Sequence, residues 1–175
     1  MALANRRVGP QGGGMKPRVS LAGRLGSTWF GGGLPPRTRE RLTSIAELRT
    51  FEPDEILLKE GTDCDHFGVL LSGLLAMQVL VPGQGSVTLL TVEPGDVFGW
   101  SAVVAPHRST STVIGIEAGE ALAFGAEPLR DLLNADDVLA ATLYPRLLQA
   151  VARRLTATRL QLLDLYAREQ EVLPW

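Results

Sequence analysis

The fold is decided by the stretch Pro94-Gly95-Asp96-Val97-Phe98-Gly99 and by the rhythm of the sequence around it. From Phe51 to Phe124, short apolar stretches alternate with turn signals at intervals of about ten residues. Pro94 and Gly95 belong to one of these turns, because proline and glycine are residues that tight turns favour. The other turn signals are Glu60-Gly61-Thr62, Ser72-Gly73, Pro82-Gly83-Gln84-Gly85 and Ala118-Gly119-Glu120.

The apolar stretches between these turns are predicted to be β-strands. Regular short strands separated by glycine and proline turns are typical of a β-sandwich or jelly roll. We therefore predict a mainly β fold with flanking α-helices: a jelly-roll barrel with an N-terminal helix and a long C-terminal helix. The strands are predicted over residues 56–58, 67–72, 74–81, 86–92, 111–116 and 121–124.

The N-terminal part of the chain is basic. Residues 1–49 contain nine of the seventeen Lys and Arg residues but only two of the nineteen acidic residues. Residues 1–25 are predicted to be a disordered, Gly- and Pro-rich tail, which serves either as a solvated leader or as a docking arm. The folded domain is predicted over residues 26–168. It begins with an amphipathic helix over residues 36–49, and residues 169–175 are a C-terminal tail.

The C-terminal part has helical periodicity. A short helix is predicted to end near Asn134, and a long helix is predicted from about Pro145 to Arg168, with the proline in its first turn. Apolar residues within the long helix are spaced alternately by four and three positions, which is typical of a coiled-coil seam. We predict that the seam joins two copies in a homodimer, because the other face of the helix also carries apolar residues, with Leu147, Leu160 and Leu163 facing the barrel; the alternative is one helix laid on its own barrel. The seam residues are Tyr144, Leu148, Val151, Leu155, Thr158, Leu162 and Leu165.

Composition excludes several classes of function. The single cysteine, Cys64, excludes a disulfide framework and a multi-cysteine zinc site, and the two histidines make a metal centre improbable. The sequence contains no nucleophile elbow, Walker loop or HExxH pattern, so no enzymatic activity is predicted. No apolar run approaches the roughly 20 residues of a membrane helix. We therefore predict a cytoplasmic protein that does not insert into membranes.

The order of these elements resembles the cyclic nucleotide-binding domain of the catabolite-activator and cAMP-dependent kinase type. The strongest match is the stretch of residues 94–99, which resembles the entry to the phosphate-binding cassette of that family. The resemblance covers roughly residues 26–168 and implies a jelly roll that binds a small ligand. The other matching stretches are Leu34-Pro35-Pro36, Lys59-Glu60-Gly61, Val69-Leu70-Leu71-Ser72-Gly73 and Ser109-Thr110-Ser111-Thr112-Val113.

The resemblance also shows where the cassette departs from the family pattern. Members that bind cAMP use a glutamate on the ribose 2′-hydroxyl and an arginine on the cyclic phosphate. The glutamate position falls here on Trp100 and the arginine position on Ser109, with Arg108 one residue earlier. Trp100 either stacks on a planar ligand or plugs the pocket. The candidate ligand-binding residues are Phe98, Gly99, Trp100, Ser101, Ala102, Arg108, Ser109 and Thr110.

The predicted function is therefore that of a regulatory or accessory protein with a degenerate cassette. The resemblance is to stand-alone bacterial members without a helix-turn-helix, because only residues 169–175 follow the long helix; DNA binding by this chain alone is not predicted. Some of these members occur beside larger enzymes such as soluble NAD(P)-linked hydrogenases, which implies docking on a larger assembly. The alternative is a dimeric sensor of cAMP, cGMP or another anion. No other cofactor is predicted.

Overall fold

The computed structural model of the chain describes residues 20–171, with side chains described up to residue 161 and at Leu163. The fold is mainly β with flanking helices and is the predicted jelly roll. A one-turn 3-10 helix lies at Trp100–Ala102. The helices are α1 (Leu21–Gly26), α2 (Trp29–Gly32), α3 (Pro36–Thr43), α4 (Ala126–Ala135) and α5 (Asp137–Glu171). The strands are β1 (Ala46–Phe51), β2 (Ile56–Leu58), β3 (His66–Val81), β4 (Gly85–Val92), β5 (Val97–Phe98) and β6 (Thr112–Gly125).

All strand pairs are antiparallel, in the order β1-β6-β3-β4, with β2 also paired to β6 and β5 to β3. The sequence predicted breaks at Ser72-Gly73 and Ala118-Gly119, but β3 and β6 run through them as two long strands. Their pairing register shifts on either side of Ser72, which bends both strands. Glycine permits the bend, because Gly73 has a φ of 82° and a Cβ at Gly119 would lie 2.1 Å from the Ser72 carbonyl oxygen.

The core is built around three aromatic rings that link the helices to the sheet. The rings of Phe30 and Phe67 lie 5.5 Å apart, and those of Phe67 and Phe124 lie 5.8 Å apart, measured between centroids. All three side chains are buried. Phe30 belongs to α2, so the N-terminal helices are part of the same core as the barrel.

Two predictions for the N-terminal region were wrong. The helix predicted over residues 36–49 ends at Thr43, and residues 46–51 form β1, because they pair along β6 from Ala46↔Phe124 to Phe51↔Gly119. Pairing with residues 68 to 78 positions away leaves no local signal in the sequence. The tail predicted over residues 1–25 also extends too far, since Leu25 is fully buried in α1.

The long helix begins earlier than predicted. It starts at Asp137, where the backbone N–H of Leu139 donates to the Asp136 carboxylate at 2.9 Å, so Asp136 caps the helix. Pro145 therefore lies inside the helix rather than in its first turn. No helix within residues 20–171 is long and apolar enough to cross a membrane.

One stripe of α5 packs on the barrel, and the apolar side chains on its other side are exposed. Leu139, Leu143 and Leu147 are buried at successive turns, which confirms the prediction for Leu147. Leu160 and Leu163 were wrongly predicted to face the barrel: they are 58% and 63% exposed. The described side chains of the predicted seam are exposed as well, and those of Leu162 and Leu165 lie outside the described part. The exposed seam residues are Tyr144, Leu148, Val151, Leu155 and Thr158.

The contact between Gly68 and Phe98 generates a stability prediction. Gly68 lies opposite Phe98 in the β3–β5 pair, and a Cβ at Gly68 would lie 2.1 Å from the phenyl ring. Gly68→Ala is expected to lower the free energy of unfolding by about 1–3 kcal/mol, because the added methyl overpacks the site. Urea unfolding measures this loss.

The double variant Gly68→Ala/Phe98→Ala is the control. Removing the ring makes room for the methyl group, so Gly68→Ala should cost little in the Phe98→Ala background. An equal loss in both backgrounds would contradict the packing argument.

Candidate functional site

The candidate cassette begins at the end of β5, which pairs with β3. Gly99 follows Phe98 with a φ of 71°, and a Cβ at Gly99 would lie 2.4 Å from the His66 carbonyl oxygen. Only glycine allows this left-handed turn and this close approach of two backbones. The chain then forms the 3-10 helix at Trp100–Ala102 and returns through an irregular loop to β6.

The structure brings some of the predicted ligand-binding residues together and separates others. Phe98 and Ala102 are buried in the core behind the cassette. Arg108 is exposed, and its guanidinium donates a hydrogen bond to the Gly61 carbonyl oxygen on a neighbouring turn. The residues that share one small cavity are Gly99, Trp100, Ser101, Ser109 and Thr110, together with Leu58, Cys64, Met77, Ser111 and Val113.

The cavity among these residues is very small. Its volume is about 10 Å³, whereas sites for small organic ligands usually enclose about 300–1,000 Å³. A single water molecule needs about 10–15 Å³. Trp100 is half-buried at the wall of the cavity, and Leu58, Met77 and Val113 make much of the remaining lining apolar.

Two side chains fix the 3-10 helix from outside the cavity. The imidazole of His107 is 3.1 Å from the Ser101 carbonyl oxygen, to which its Nδ1–H donates. Arg130, on α4, donates to the Ala102 carbonyl oxygen at 2.8 Å. Sequence reasoning missed Arg130, because nothing in its local sequence indicates that α4 lies beside the cassette. These contacts tie the cassette to its own loop and to the C-terminal helices.

The floor of the cassette contains a buried thiol and a hydroxyl that the family pattern did not indicate. The Cys64 thiol, 2% exposed, lies 3.5 Å from the carbonyl oxygens of His66 and Gly99. Burial raises the pKa of the Cys64 thiol, and the nearby Ser109 hydroxyl partly opposes this effect. The Ser109 Oγ is itself buried and has no partner in hydrogen-bonding geometry among the described residues.

The acidic and imidazole side chains around Cys64 do not form a metal site. Asp65 and His66 bind each other, with 2.6 Å between a carboxylate oxygen and Nδ1. Within the described part of the chain, no three His, Cys, Asp or Glu side chains converge in a way that could hold a metal ion.

A jelly roll with a short helix between its strands and a long C-terminal helix is the architecture of a small-ligand regulatory domain. The family model for the cyclic nucleotide-binding domain matches residues 48–136, just over half of the chain. The chain therefore belongs to the cyclic nucleotide-binding domain family. Comparison with curated proteins gives no significant match.

Solved structures agree with the family in fold. A cyclic nucleotide-binding domain from Methylobacillus flagellatus KT is 18% identical with a TM-score of 0.71, over 89% of this chain and 84% of that one. The N-terminal domain of a transcriptional regulator from Streptomyces coelicolor A3(2) is 24% identical with a TM-score of 0.60, over 79% of this chain and 94% of that one. The regulatory domain of Toxoplasma gondii protein kinase A, solved with cAMP, is 24% identical with a TM-score of 0.56, over 66% of this chain and 42% of that one.

The environment of Cys64 generates a prediction about its reactivity. Because burial both covers the thiol and raises its pKa, Cys64 stays protonated and unreactive at neutral pH. Iodoacetamide is expected to alkylate the folded chain at least about tenfold more slowly than the urea-unfolded chain, as followed by mass spectrometry. Equal rates would show that the thiol is accessible in the folded state.

The raised pKa of the Cys64 thiol also determines how the stability of the chain depends on pH. The unfolded chain loses the thiol proton first, so the free energy of unfolding should fall as pH rises above about 8.5. Cys64→Ala should remove this part of the decline.

Proposed function

We propose that this chain is a non-enzymatic regulatory or accessory protein that docks on a larger protein assembly and does not use a cyclic nucleotide in its cassette. The observation that carries the proposal is the cassette cavity of about 10 Å³, whose lining contains neither an arginine nor a glutamate. A cyclic nucleotide has no room there unless Trp100 and the 3-10 helix move.

The missing charges matter as much as the missing space. A hydrogen bond to a charged group contributes roughly 1.5–3 kcal/mol. The loss of two such bonds, at Trp100 and Ser109, weakens cAMP binding by on the order of a hundredfold or more. Arg108 does not compensate in this arrangement, because its guanidinium is engaged with the Gly61 carbonyl oxygen.

The nature of the assembly is inferred from resemblance. Residues 99–102 and 158–166 resemble single-domain bacterial members found beside soluble redox enzymes, among them NAD(P)-linked hydrogenases. An accessory subunit of such an enzyme needs exposed contact surface rather than a catalytic site. The exposed apolar side chains of α5 offer such surface, and the N-terminal sequence adds basic residues.

Purification of the tagged chain from its native cells tests the docking proposal. We expect a complex of defined composition that survives millimolar cAMP. A chain that elutes alone, or a partner released by cAMP, would contradict the proposal. Loss of the partner on deletion of residues 1–19, with the melting temperature of the chain unchanged, would place the contact on the N-terminal segment, and retention would place it on the folded domain.

We also propose that α5 joins two copies of the chain. Leu148 is 70% exposed and Leu155 51% exposed, on the stripe with coiled-coil spacing, and burying such side chains stabilises association by about 1.5–3 kcal/mol each. Because this stripe is exposed along α5, it is available to a second α5.

Matched leucine variants test the dimer. Leu148→Glu is expected to shift the chain from dimer to monomer in sedimentation velocity, with the dissociation constant raised at least tenfold, because it places two charges in the seam. Leu160→Glu is the control, since Leu160 is also exposed but lies off the seam. If both variants behave alike, or if the wild-type chain is monomeric, the seam is not an interface.

A dimeric small-ligand sensor is the second candidate. The observation in its favour is the buried Ser109 Oγ at the wall of the cavity, which lies near the Cys64 thiol but has no partner in hydrogen-bonding geometry among the described residues. Such an atom is satisfied if a ligand or a water molecule binds it. The sensor proposal requires the 3-10 helix to open and Arg108 to leave Gly61, and it therefore predicts ligand-dependent stabilisation that disappears in Arg108→Ala.

A further inference from the structure

We propose that a groove beneath α1 is the docking site for a partner segment that carries acidic residues next to large apolar side chains. We call it the α1 groove. It deepens the docking function proposed above and rests on it. The lining residues are Leu21, Gly23, Arg24, Ser27, Thr28, Trp29, Leu48, Leu71, Pro94 and Gly95.

The α1 groove has the size and chemistry of a peptide site. Its volume is about 920 Å³, far more than that of the cassette cavity. Leu48 and Trp29 are 43% and 37% exposed, and Leu21 and Leu71 are half-buried. These side chains come from α1, α2, β1 and β3, so the groove is recessed between elements and offers apolar contact that the described residues leave uncovered.

Trp29 links the groove to a pair of arginines on α5. The Arg153 guanidinium lies 4.3 Å from the centroid of the Trp29 ring, and that of Arg146 lies 5.6 Å from it. The two charges are therefore within about one Debye length of each other in 0.1 M salt, and they repel. Gly33 makes room for this arrangement, since a Cβ there would lie 0.9 Å from the Arg146 Nη2.

Neither of these two arginines forms an ion pair within the described part of the chain. The ion pairs there involve Arg24, Arg41, Arg49 and His66. Arg154 is not part of this exposed charge, because its guanidinium is partly buried, donates to the Val97 carbonyl oxygen at 2.7 Å and is attracted to Asp96. Arginine binds carboxylates through its fork of donors, so the pair Arg146 and Arg153 favours an acidic partner.

The shape of the site decides between an acidic segment and other anionic partners. A small free anion would use the arginines and leave the apolar groove uncovered. A membrane surface is flat and does not reach a recessed floor. An extended or helical segment satisfies both parts, because its carboxylates contact Arg146 and Arg153 while its apolar side chains enter the groove beside Trp29.

A peptide-display experiment on the full chain tests this inference. A random twelve-residue library is selected on the folded protein, and the enriched peptides are measured by fluorescence polarisation. We expect enrichment of Asp or Glu next to Leu, Phe or Trp. Arg146→Gln/Arg153→Gln is expected to weaken these peptides at least tenfold, and Leu48→Asp should weaken them as well. Arg37→Gln, an exposed arginine on α3, is the matched control and should leave binding unchanged.

Three outcomes would overturn the inference. They are peptides without acidic enrichment, acidic peptides whose affinity survives Arg146→Gln/Arg153→Gln, and equal Arg-dependent binding to phosphatidylserine vesicles, which would assign the surface to membranes. The failure of the docking function is distinguishable from these. If Arg146→Gln/Arg153→Gln retains its native partner, the docking function stands and the α1 groove is not the docking site. If the wild-type chain has no native partner, the docking function itself is contradicted.

Discussion

The close approach of β5 to β3 is the constraint on which the candidate site depends. The Phe98 ring covers Gly68, and the backbone at Gly99 lies against the His66 carbonyl oxygen. Either position would need to move if it carried a side chain. Because the cassette starts from this contact, Trp100 and the 3-10 helix are held against the barrel, and the space between them shrinks to the volume of one water molecule.

The same constraint connects the cassette to the helices that carry the exposed surface. Arg130 joins the 3-10 helix to α4, and α4 leads into α5 through the cap at Asp136. Arg154 of α5 in turn donates to the Val97 carbonyl oxygen of β5. A change at the cassette would therefore strain contacts on both C-terminal helices. In the docking function that we propose, binding energy goes into surface contacts rather than into opening a pocket.

The sequence predicted the fold because its signals there are local. Glycine and proline turns at regular intervals indicated the jelly roll, and residues 94–99 indicated the cassette entry. The predictions were wrong where contacts between residues distant in the sequence determine the structure. Residues 46–51 have helical spacing in part, yet pairing with β6 makes them a strand. The start of α5 depends on one capping carboxylate at Asp136, nine residues before Pro145, which the sequence places in the first turn.

The candidate site was predictable in composition but not in geometry. The absence of an arginine at Ser109 and of a glutamate at Trp100 is visible in the sequence. The hydrogen bond from Arg108 to the Gly61 carbonyl oxygen is not visible in the sequence, because it depends on which turn lies beside the loop. The pair of arginines over Trp29 is equally invisible, because Trp29 lies more than 100 residues from α5 and the contact forms only when both pack on the same barrel.

In the function that we propose, the cassette of this family member is closed to cyclic nucleotides. Calorimetric titration of the purified wild-type chain with cAMP and with cGMP tests it most directly. The closed cavity and the missing charges predict no saturable heat up to millimolar nucleotide. Saturable binding at micromolar concentration would contradict the claim, and its loss in Arg108→Ala would show that this arginine replaces the one missing at Ser109.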